Sequence, residues 1–389
     1  MQPDSTTDFL IVGAGFAGLV AAERLASAGW KCTVIDRRTH IAGNAHDATD
    51  AAGVLTHRYG PHYFRTNSEK VRQYLSRFTD WHNVSYTIKS FTGGKYWPFP
   101  INLNTYEELI GHPATSEEFA AWLAANRHDI PNPQNSEEVI LSQVGTELYE
   151  RFFKGYTLKQ WQRHPRELDA SVCGRIPIRT NRDDRYLAES FQALPARGYT
   201  ALFENLLAAT PNLTLHLGTD YREAKQRIKH RHLIFTGPID EYFDRRYGPL
   251  PYRSLRFEPE SFTAEALKHR EKISGKPGFW QPAMQVNYPD ADVPHTRIVE
   301  IKHATGQQID ATTIVREFPK NWTPDDEPYY PVPAPDARAA YQKYATLAAA
   351  EPHTSFIGRL ATYRYYNMDQ VTAMALTTAE KLLTRFGHP

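Results

Sequence analysis

The stretch DFLIVGAGFAGLVAAERLASAGWKCTVIDRR, residues 8–38, decides the fold class of this chain. Its apolar run FLIV is typical of a short buried strand, and a glycine-rich turn separates that run from helix-forming residues that end at Gly29. The run KCTVID then predicts a second strand, parallel to the first. This order of strand, turn, helix and strand predicts a Rossmann-type unit and an α/β fold.

Within this stretch, Gly13, Gly15 and Gly18 fit the GxGxxG pattern of dinucleotide-binding turns. The first glycine permits the tight turn, the second lets backbone approach a pyrophosphate, and the third lets the helix pack closely. Asp36 follows about 20 residues later, where a carboxylate accepts hydrogen bonds from an adenosine ribose. We therefore predict a dinucleotide cofactor here, with a purely structural tight turn as the alternative.

The choice between FAD and NAD depends on the segments that surround this unit. A basic loop containing glycine and asparagine, DRRTHIAGNAHD, follows the second strand, as is common in flavoproteins of this fold. The segments FIGRL and NMDQV near the C-terminus predict a further strand and helix start that could meet a flavin ring from the other side. These features favour FAD.

The order of patterns along the chain predicts three units. The helical patterns TSEEFAAWLAANRHDI and SEEVILSQVGTELYERFFKGY each open with a capping-box-like Ser/Thr-Glu sequence, and strand patterns dominate residues 211–320. We predict a Rossmann-type FAD-binding domain, a helical insertion and an antiparallel β-sheet domain that binds substrate. The boundaries are 8–66, 200–243 and 351–387 for the first, 100–172 for the second, and 67–99, 173–199 and 244–350 for the third.

Composition excludes several classes of function. The 45 basic and 44 acidic residues leave a net charge of +1, so no overall field attracts nucleic acid or an acidic membrane. No uncharged apolar run approaches membrane-spanning length, and the N-terminus lacks the basic region of a signal peptide. Two distant cysteines, Cys32 and Cys173, indicate a reducing compartment, so we predict a cytoplasmic protein. HExxH, CxxC and GxSxG motifs are absent from the sequence, which gives no indication of a metal site or a serine hydrolase.

Several further motifs, spread over the chain in a fixed order, carry a family resemblance. They are HRYGPHYFRTN (57–67), KGYTLKQW (154–161), FTGPIDEYFD (235–244), YRSLRFE (252–258), VPHTRIVEIKH (293–303), DEPYYPV (326–332) and GRLATYRYYNMDQV (358–371). With these motifs the chain resembles the bacterial UDP-galactopyranose mutases from about residue 8 to residue 385.

The resemblance implies an FAD-dependent isomerase that interconverts the pyranose and furanose forms of a nucleotide sugar. In that family reduced flavin N5 attacks the anomeric carbon and UDP leaves, so the cofactor is a covalent catalyst without net redox turnover. The resemblance further implies a UDP-linked substrate, a reductant such as NAD(P)H and a homodimer.

Site residues follow from the same motifs. As cofactor-binding residues we predict Gly13, Gly15, Phe16, Ala17, Gly18, Asp36, Arg37, Gly43, Asn44, His62, Gly237, Gly358, Arg359 and Met368. As catalytic residues we predict Arg175, Arg297, His62, Arg65 and Asn367. As substrate-binding residues we predict Tyr156, Thr157, Trp161, Arg175, Tyr186, Arg253, Asn287, Arg297, Tyr330 and Tyr365. Guanidinium groups suit phosphate oxygens and aromatic rings suit uracil, while the backbone of His62 aligns beside flavin N5.

Four departures from the family pattern affect the substrate. Arg65 replaces a histidine, Asn367 an aspartate, Ser190–Phe191 an Arg-Tyr pair, and Ala42 a glycine. Arg65 could contact a 2-acetamido oxygen or form a surface ion pair with Glu69. The substrate is therefore UDP-galactose or a related nucleotide sugar, such as UDP-N-acetylgalactosamine or a thymidine-linked 6-deoxy sugar. The remaining alternatives are a redox flavoenzyme of the amine-oxidase-like fold and a nucleotide-sugar-binding relative without activity.

Overall fold

A computed structural model describes residues 5–387 and 389 of the chain. Within these residues the strands are β1 (Ser5–Val12), β2 (Cys32–Asp36), β3 (Asp47–Thr49), β4 (Leu55–His57), β5 (Phe64–Thr66), β6 (Trp81–Asn83), β7 (Ile88–Thr92), β8 (Lys95–Phe99), β9 (Phe191–Pro195), β10 (Leu213–Leu217), β11 (Ile228–Phe235), β12 (Tyr252–Phe262), β13 (Gln285–Asn287), β14 (Arg297–Val299), β15 (Thr312–Asn321), β16 (Tyr330–Pro331) and β17 (Thr354–Phe356). They form sheets of five, seven, two and three strands.

The helices surround these sheets. They are α1 (Phe16–Ser27), α2 (Glu69–Leu75), α3 (Leu103–Ile110), α4 (Ser116–Asn126), α5 (Ser136–Leu148), α6 (Gly155–Trp161), α7 (Ser171–Gly174), α8 (Tyr199–Ala208), α9 (Tyr221–Arg227), α10 (Ile239–Tyr242), α11 (Ala264–Leu267), α12 (Glu271–Ser274), α13 (Lys302–Thr305), α14 (Pro335–Ala349), α15 (Gly358–Ala361) and α16 (Met368–Phe386). A π-helical segment, Tyr149–Lys154, joins α5 to α6. In the described part of the chain, no helix is both long enough and apolar enough to cross a membrane.

The five-stranded sheet is parallel throughout, in the order β10–β2–β1–β11–β17. Its central strand β1 is buried on both faces, since Phe9 and Ile11 belong to one apolar cluster and Leu10 to another. Such two-sided burial is typical of parallel sheets covered by helices. The Rossmann-type unit predicted from residues 8–38 is confirmed.

Helix α1 follows the glycine-rich turn and packs against α16, so the first and last helices share one core. Gly29 follows the end of α1 with φ of 103°, a left-handed conformation that favours glycine after a helix. The sequence therefore predicted both the helix and its end.

The seven-stranded sheet has the order β16–β12–β15–β14–β13–β7–β8. Its neighbours are antiparallel, as predicted, except that β13 and β7 run parallel. These two strands lie far apart in sequence, so no hairpin between them imposes an antiparallel pairing. This sheet carries Arg297 on β14 and Asn287 on β13.

A three-stranded sheet, β5–β9–β6, joins segments that we assign to different domains. Strand β5 lies within the segment 8–66 of the FAD-binding domain, while β6 and β9 lie within segments of the substrate domain. Arg65 on β5 is paired in register with Gln192 on β9. The two proposed domains are therefore connected by backbone hydrogen bonds beside Arg65.

The helical insertion contains α3, α4, α5, the π-helical segment and α6. Thr115 caps α4 in a capping box, because its hydroxyl accepts from the Glu118 amide at 3.2 Å and Glu118 accepts from the Thr115 amide at 2.7 Å. For α5 the expectation of a capping box on Ser136 is wrong. Asn135 is the capping residue and accepts from the Glu138 amide at 3.0 Å. The Ser136 hydroxyl instead donates to the Asp169 carbonyl oxygen at 2.6 Å and accepts from the Cys173 amide at 3.3 Å.

Candidate active site

The glycine-rich turn lies between β1 and α1. A Cβ on Gly13 would lie 2.0 Å from Thr236 Oγ1, and one on Gly18 would lie 1.9 Å from the Gly13 carbonyl oxygen, so packing excludes side chains at both positions. A Cβ on Gly15 would meet no described atom closer than Gly43 Cα at 3.5 Å. The missing side chain at Gly15 therefore leaves the amino end of α1 open, as close approach of a pyrophosphate requires.

Asp36 ends β2 beside this turn. One carboxylate oxygen accepts from the Ala14 amide at 2.7 Å, and the other accepts from the Arg38 amide at 2.9 Å. These bonds fix the orientation of the carboxylate and leave each oxygen with capacity for a further donor. The position suits a ribose hydroxyl, and that role of Asp36 stays a prediction.

Other predicted cofactor residues contribute backbone rather than side chain. Phe16 points into the core, where its ring meets Phe203 edge-on at 4.8 Å between centroids. A Cβ on Gly358 would lie 3.1 Å from Ala17 Cβ, which places the start of α15 against the start of α1. Gly237 directly follows the end of β11. Three predicted segments therefore converge at one edge of the parallel sheet.

The basic loop after β2 is held by two carboxylates, and Glu241 lies 3.7 Å from Arg37. Glu327 pairs with Arg37 at 3.0 Å and with Arg38 at 2.8 Å. Arg38 also donates to Asn44 Oδ1 at 2.8 Å, and its guanidinium lies 4.5 Å from the ring centre of Tyr59. These contacts order the loop that carries the predicted residues Arg37 and Asn44.

A cavity of about 670 Å³ opens beside these segments. Of the predicted cofactor residues, Asn44, His62, Arg359 and Met368 line it. The predicted substrate and catalytic residues that line it are Arg65, Tyr156, Thr157, Trp161, Arg175, Tyr186, Asn287, Arg297, Tyr330, Tyr365 and Asn367. The structure thus brings together side chains from six separate sequence motifs.

Arg297 enters the cavity wall from β14. Its Nε donates to Glu317 Oε2 at 2.6 Å, and its Nη1 donates to Gln285 Oε1 at 3.4 Å. Glu317 is fully buried, and its Oε1 has no hydrogen-bond partner among the described residues. Burial raises the pKa of Glu317, while Arg297 opposes that rise. The pair results from sheet register, since Arg297 on β14 lies opposite Glu317 on β15.

Aromatic rings and guanidinium groups face each other in another part of the wall. Tyr330 and Tyr365 stack with centroids 5.4 Å apart, and Trp161 approaches them at 6.3 and 6.4 Å. The guanidinium carbons of Arg175 and Arg359 lie 4.7 and 5.0 Å from the ring centre of Tyr365. Burial opposes ionisation of Tyr365, but both arginines outweigh burial and lower its pKa to about 8. Neither arginine has a carboxylate within 4.0 Å in the described part of the chain.

Arg253, a predicted substrate residue, lies one layer behind the cavity. It is buried at the start of β12, where its Nε donates to the Gln160 carbonyl oxygen at 3.0 Å and its Nη1 donates to Asn321 Oδ1 at 2.7 Å. Its Nη2 has no hydrogen-bond partner among the described residues, and burial lowers its pKa to about 10. Gln160, not Arg253, lines the cavity.

Known proteins are similar to this chain in sequence and in fold. A family model for UDP-galactopyranose mutase matches residues 151–365, which is more than half of the chain. The chain is 37% identical over 384 residues to the "Probable UDP-galactopyranose mutase" of Klebsiella pneumoniae, covering 98% of this chain and 96% of that protein. The chain belongs to the UDP-galactopyranose mutase family.

Two further matches agree with this family assignment. A dTDP-fucopyranose mutase of Escherichia coli is 36% identical over 380 residues, with 95% of this chain and 97% of that protein covered. The crystal structure of a reduced UDP-galactopyranose mutase has the same fold, with a TM-score of 0.74 at 16% identity and coverage of 98% and 96%. Residues 11–78 also match the NAD(P)-binding Rossmann-like domain.

As a UDP-galactopyranose mutase family member, the chain is an isomerase with FAD as its cofactor. The described residues fit that cofactor. Gly15 leaves room for a pyrophosphate, and Asp36 is held in place for a ribose. The cavity is lined by Asn44, which follows Gly43 next to the Gly15 position. The predicted isomerase is confirmed, and the redox alternative is not supported by the relatives.

Resemblance to the mutases predicts that the backbone of His62 lies beside the flavin. Its backbone amide donates to His57 Nδ1 at 3.1 Å, and its carbonyl accepts from the Tyr199 hydroxyl at 3.0 Å. The ring contacts the Gly60 carbonyl oxygen at 2.9 Å, and burial lowers the pKa of His62 to about 3. The ring is therefore neutral and the backbone is fixed, which fits the predicted role of the backbone.

Among the departures from the mutase pattern, Arg65 has a defined partner. Its Nε lies 2.8 Å from Glu189 Oε1, while Glu69 pairs with Arg72. The alternative that Arg65 forms a surface pair with Glu69 is wrong, because β5 directs Arg65 to the cavity side. Arg65, Glu189 and Asn367 all line the cavity.

A second carboxylate lies close to this ion pair. Asp369 follows Asn367 at the start of α16, and its Oδ1 is buried without a hydrogen-bond partner in the described residues. Burial raises the pKa of Asp369, while Arg65 opposes the rise and Glu189 adds to it. Two carboxylates, those of Glu189 and Asp369, therefore lie near position 367, although the side chain at that position is the amide of Asn367.

Several polar residues of the site were not predicted from the sequence. Tyr63 donates to Gln285 Oε1 at 2.8 Å, and Gln285 donates to Asn287 Oδ1 at 2.8 Å. Glu189 and Glu317 were missed as well. A charged residue within a buried strand was a signal for Glu317, but only the register of β14 and β15 reveals its partner.

Proposed function

We propose that this protein interconverts UDP-galactopyranose and UDP-galactofuranose. The observation that carries the proposal is the placement of Arg175 and Arg359 in the cavity wall without a carboxylate partner in the described residues. A guanidinium group in a cavity wall without a carboxylate partner is stabilised by an anionic ligand, and its geometry matches phosphate oxygens well. A nucleoside diphosphate supplies that negative charge.

The aromatic residues of the cavity support a nucleotide substrate. Tyr156, Trp161 and Tyr186 line the same cavity as the arginines. Uracil is a flat ring with a polar edge, which suits an aromatic wall with backbone hydrogen bonds nearby. We assign these three residues to the surroundings of the uracil and the sugar, and Asn287 to a position near the uridine diphosphate.

FAD would be held by the backbone at Gly13, Gly15 and Gly18, with Asp36 accepting from its ribose. In its reduced form, FAD would supply the nucleophile for the anomeric carbon. Arg175 and Arg297 would neutralise the negative charge that develops on the departing diphosphate and hold that group until it returns. Tyr330 and Tyr365 would donate their hydroxyl hydrogens to phosphate oxygens.

Anaerobic turnover tests this proposal. Protein reduced with dithionite and incubated with UDP-galactofuranose should form UDP-galactopyranose, detected by chromatography, over many turnovers from one reduction. Oxidised protein is the control and should be inactive. Consumption of one NADPH for each product molecule would instead indicate redox catalysis.

A related sugar is the second candidate substrate. It is favoured by the similarity to a dTDP-fucopyranose mutase and by the Arg65–Glu189 pair in the cavity. The reduced protein should be assayed in parallel with UDP-galactose, UDP-N-acetylgalactosamine and a thymidine-linked 6-deoxy sugar. The substrate with the highest kcat/KM identifies the sugar and the base together.

We propose a cytoplasmic homodimer whose flavin is reduced by NAD(P)H. The free, buried Cys32 and Cys173 are consistent with a reducing compartment, and the dimer and the reductant rest on the family resemblance. Light scattering tests the dimer, and anaerobic flavin bleaching by NADH or NADPH tests the reductant.

A further inference from the structure

Lys159, on the helix α6, occupies a ring of backbone carbonyl groups. Its Nζ donates to the carbonyl oxygens of Tyr288, Asp290, Val293 and His295, at 2.9 Å for Asp290 and Val293 and 3.2 Å for His295. All four acceptors belong to the segment 288–295. The ammonium group is therefore surrounded by one loop, to which it fastens its helix.

The helix and the two strands that flank the loop carry different parts of the cavity wall. Tyr156, Thr157 and Trp161 on α6 line the cavity. The loop 288–295 joins β13, which ends at Asn287, to β14, which begins at Arg297. Lys159 thus connects the helix with predicted uridine contacts to the two strands with predicted diphosphate contacts.

The packing of helix and loop leaves little space between them. A Cβ on Gly155, the first residue of α6, would lie 2.3 Å from the Pro289 carbonyl oxygen. On the other side, Arg253 donates to the Gln160 carbonyl oxygen at 3.0 Å. Helix α6 is therefore tied to the large sheet both at the loop and at the start of β12.

The contacts of Lys159 are charge–dipole rather than charge–charge. The Asp290 carboxylate accepts hydrogen bonds from Thr92 Oγ1 at 2.5 Å and from the Gly93 amide at 3.2 Å. Burial lowers the pKa of Lys159 to about 8, although Asp290 and Asp292 oppose this effect. The cage suits an ammonium group, whose three donors converge on carbonyl oxygens.

We propose that Lys159 is a positioning residue that sets the spacing between the uridine side and the diphosphate side of the cavity. The inference rests on the proposed function, because it takes the nucleotide to bridge these two sides. Without the ammonium group, four carbonyl groups lose their common donor and α6 is free to shift relative to β13 and β14. Substrate binding should suffer more than the chemical step.

Steady-state kinetics of Lys159→Met test the proposal. We expect KM for the nucleotide sugar and Kd for UDP to rise at least about tenfold, while kcat and flavin occupancy stay within about twofold of the unmodified protein. Lys154→Met is the matched control. Lys154 lies just before α6, and its ammonium group forms a surface ion pair with Glu150, one helical turn before Lys154. Unchanged KM and Kd in Lys159→Met would overturn the proposal, as would an equal effect in the control.

Chemical rescue and hydrogen exchange separate this proposal from the proposed function. In Lys159→Ala, propylammonium should restore UDP binding, whereas propanol should not; equal effects of both would contradict the charged contact. Amide exchange should increase in residues 155–161 and 288–295 of Lys159→Met whether or not the protein is a mutase. Unchanged exchange there would overturn the fastening role. Lys159→Gln serves the same measurements if the methionine variant does not fold.

Discussion

Two groups of residues in the cavity differ in how their charges are balanced. The diphosphate cluster consists of Arg175, Arg297, Arg359, Tyr330 and Tyr365, and its three guanidinium groups have one carboxylate partner, Glu317. The Arg65 cluster consists of Arg65, Glu189, Asn367 and Asp369, and its single guanidinium interacts with two carboxylates. The first cluster therefore carries excess positive charge, whereas the second does not.

This difference indicates separate tasks. Excess cations in the cavity wall prepare the diphosphate cluster for an anion, whose binding would offset their mutual repulsion. In the Arg65 cluster the guanidinium is already paired, so its remaining donors have a fixed direction and can select among neutral groups of a sugar. Substitutions should accordingly affect affinity in the first cluster and selectivity in the second.

The largest effect is expected for Arg175→Ala. Loss of charge-assisted hydrogen bonds, worth about 1.5–3 kcal/mol each, should lower kcat/KM by about 100-fold or more. Flavin occupancy should not change, since Arg175 is a predicted substrate residue whose guanidinium packs on the Tyr365 ring. Arg166→Ala is the control, because Arg166 is exposed on the neighbouring segment. A change of less than twofold in Arg175→Ala would remove Arg175 from the site.

Arg297→Ala should differ from Arg175→Ala in stability. It leaves the fully buried Glu317 carboxylate without its partner, which should lower the free energy of unfolding by about 3 kcal/mol. Adding Glu317→Gln should recover much of that stability without restoring activity. Urea unfolding of the three variants measures the difference. Equal stability of Arg297→Ala and the unmodified protein would show that the pair is not coupled.

Arg65→His tests the second cluster. We expect the ratio of kcat/KM between UDP-galactose and its 2-acetamido analogue to shift by at least about tenfold, or about 1.4 kcal/mol. Arg72→His is the control, because Arg72 pairs with Glu69 at the surface. If Arg65→His changes both substrates by the same factor, Arg65 supports the site in general and does not select the sugar.

The smallest effect concerns pH. The arginines lower the pKa of the Tyr365 hydroxyl to about 8, so this group ionises as the pH rises through 8. Ionisation removes a donor and adds a negative charge, so affinity for UDP should fall by about fourfold between pH 7 and pH 8.5. In Tyr365→Phe the affinity should be lower at pH 7 and nearly constant over this range. Calorimetry of UDP binding at several pH values measures the affinity of both proteins. A constant affinity in the unmodified protein would contradict the prediction.

Local patterns were sufficient to predict the cofactor end of the molecule. The run FLIV, the spacing of Gly13, Gly15 and Gly18 and the position of Gly29 are determined by neighbours in sequence, so the strand, turn and helix were recognisable. Motif resemblance predicted most of the residues that line the cavity. Neither source required knowledge of how distant strands pair.

Partners across the sheets could not be predicted. Glu317 lies opposite Arg297 only because β14 and β15 adopt one register, and a shift by one residue would direct Glu317 to the other face. The carbonyl ring around Lys159 depends on the path of a loop without regular structure. Arg253 was predicted from the family motif YRSLRFE, but tertiary packing places it behind Gln160.

The strand pair β5–β9 brings two of the four sequence departures, Arg65 and Ser190–Phe191, next to each other. Arg65 lies opposite Gln192, Thr66 lies opposite Phe191, and the Ser190 amide donates to Asn67 Oδ1 at 2.8 Å. Residues paired across strands share one environment, so an exchange on one strand changes which residue fits on the other. During divergence from a common ancestor, a new sugar preference at this place would therefore be inherited as a set of coupled exchanges. Transplanting both strands together would carry that preference between relatives more completely than any single exchange.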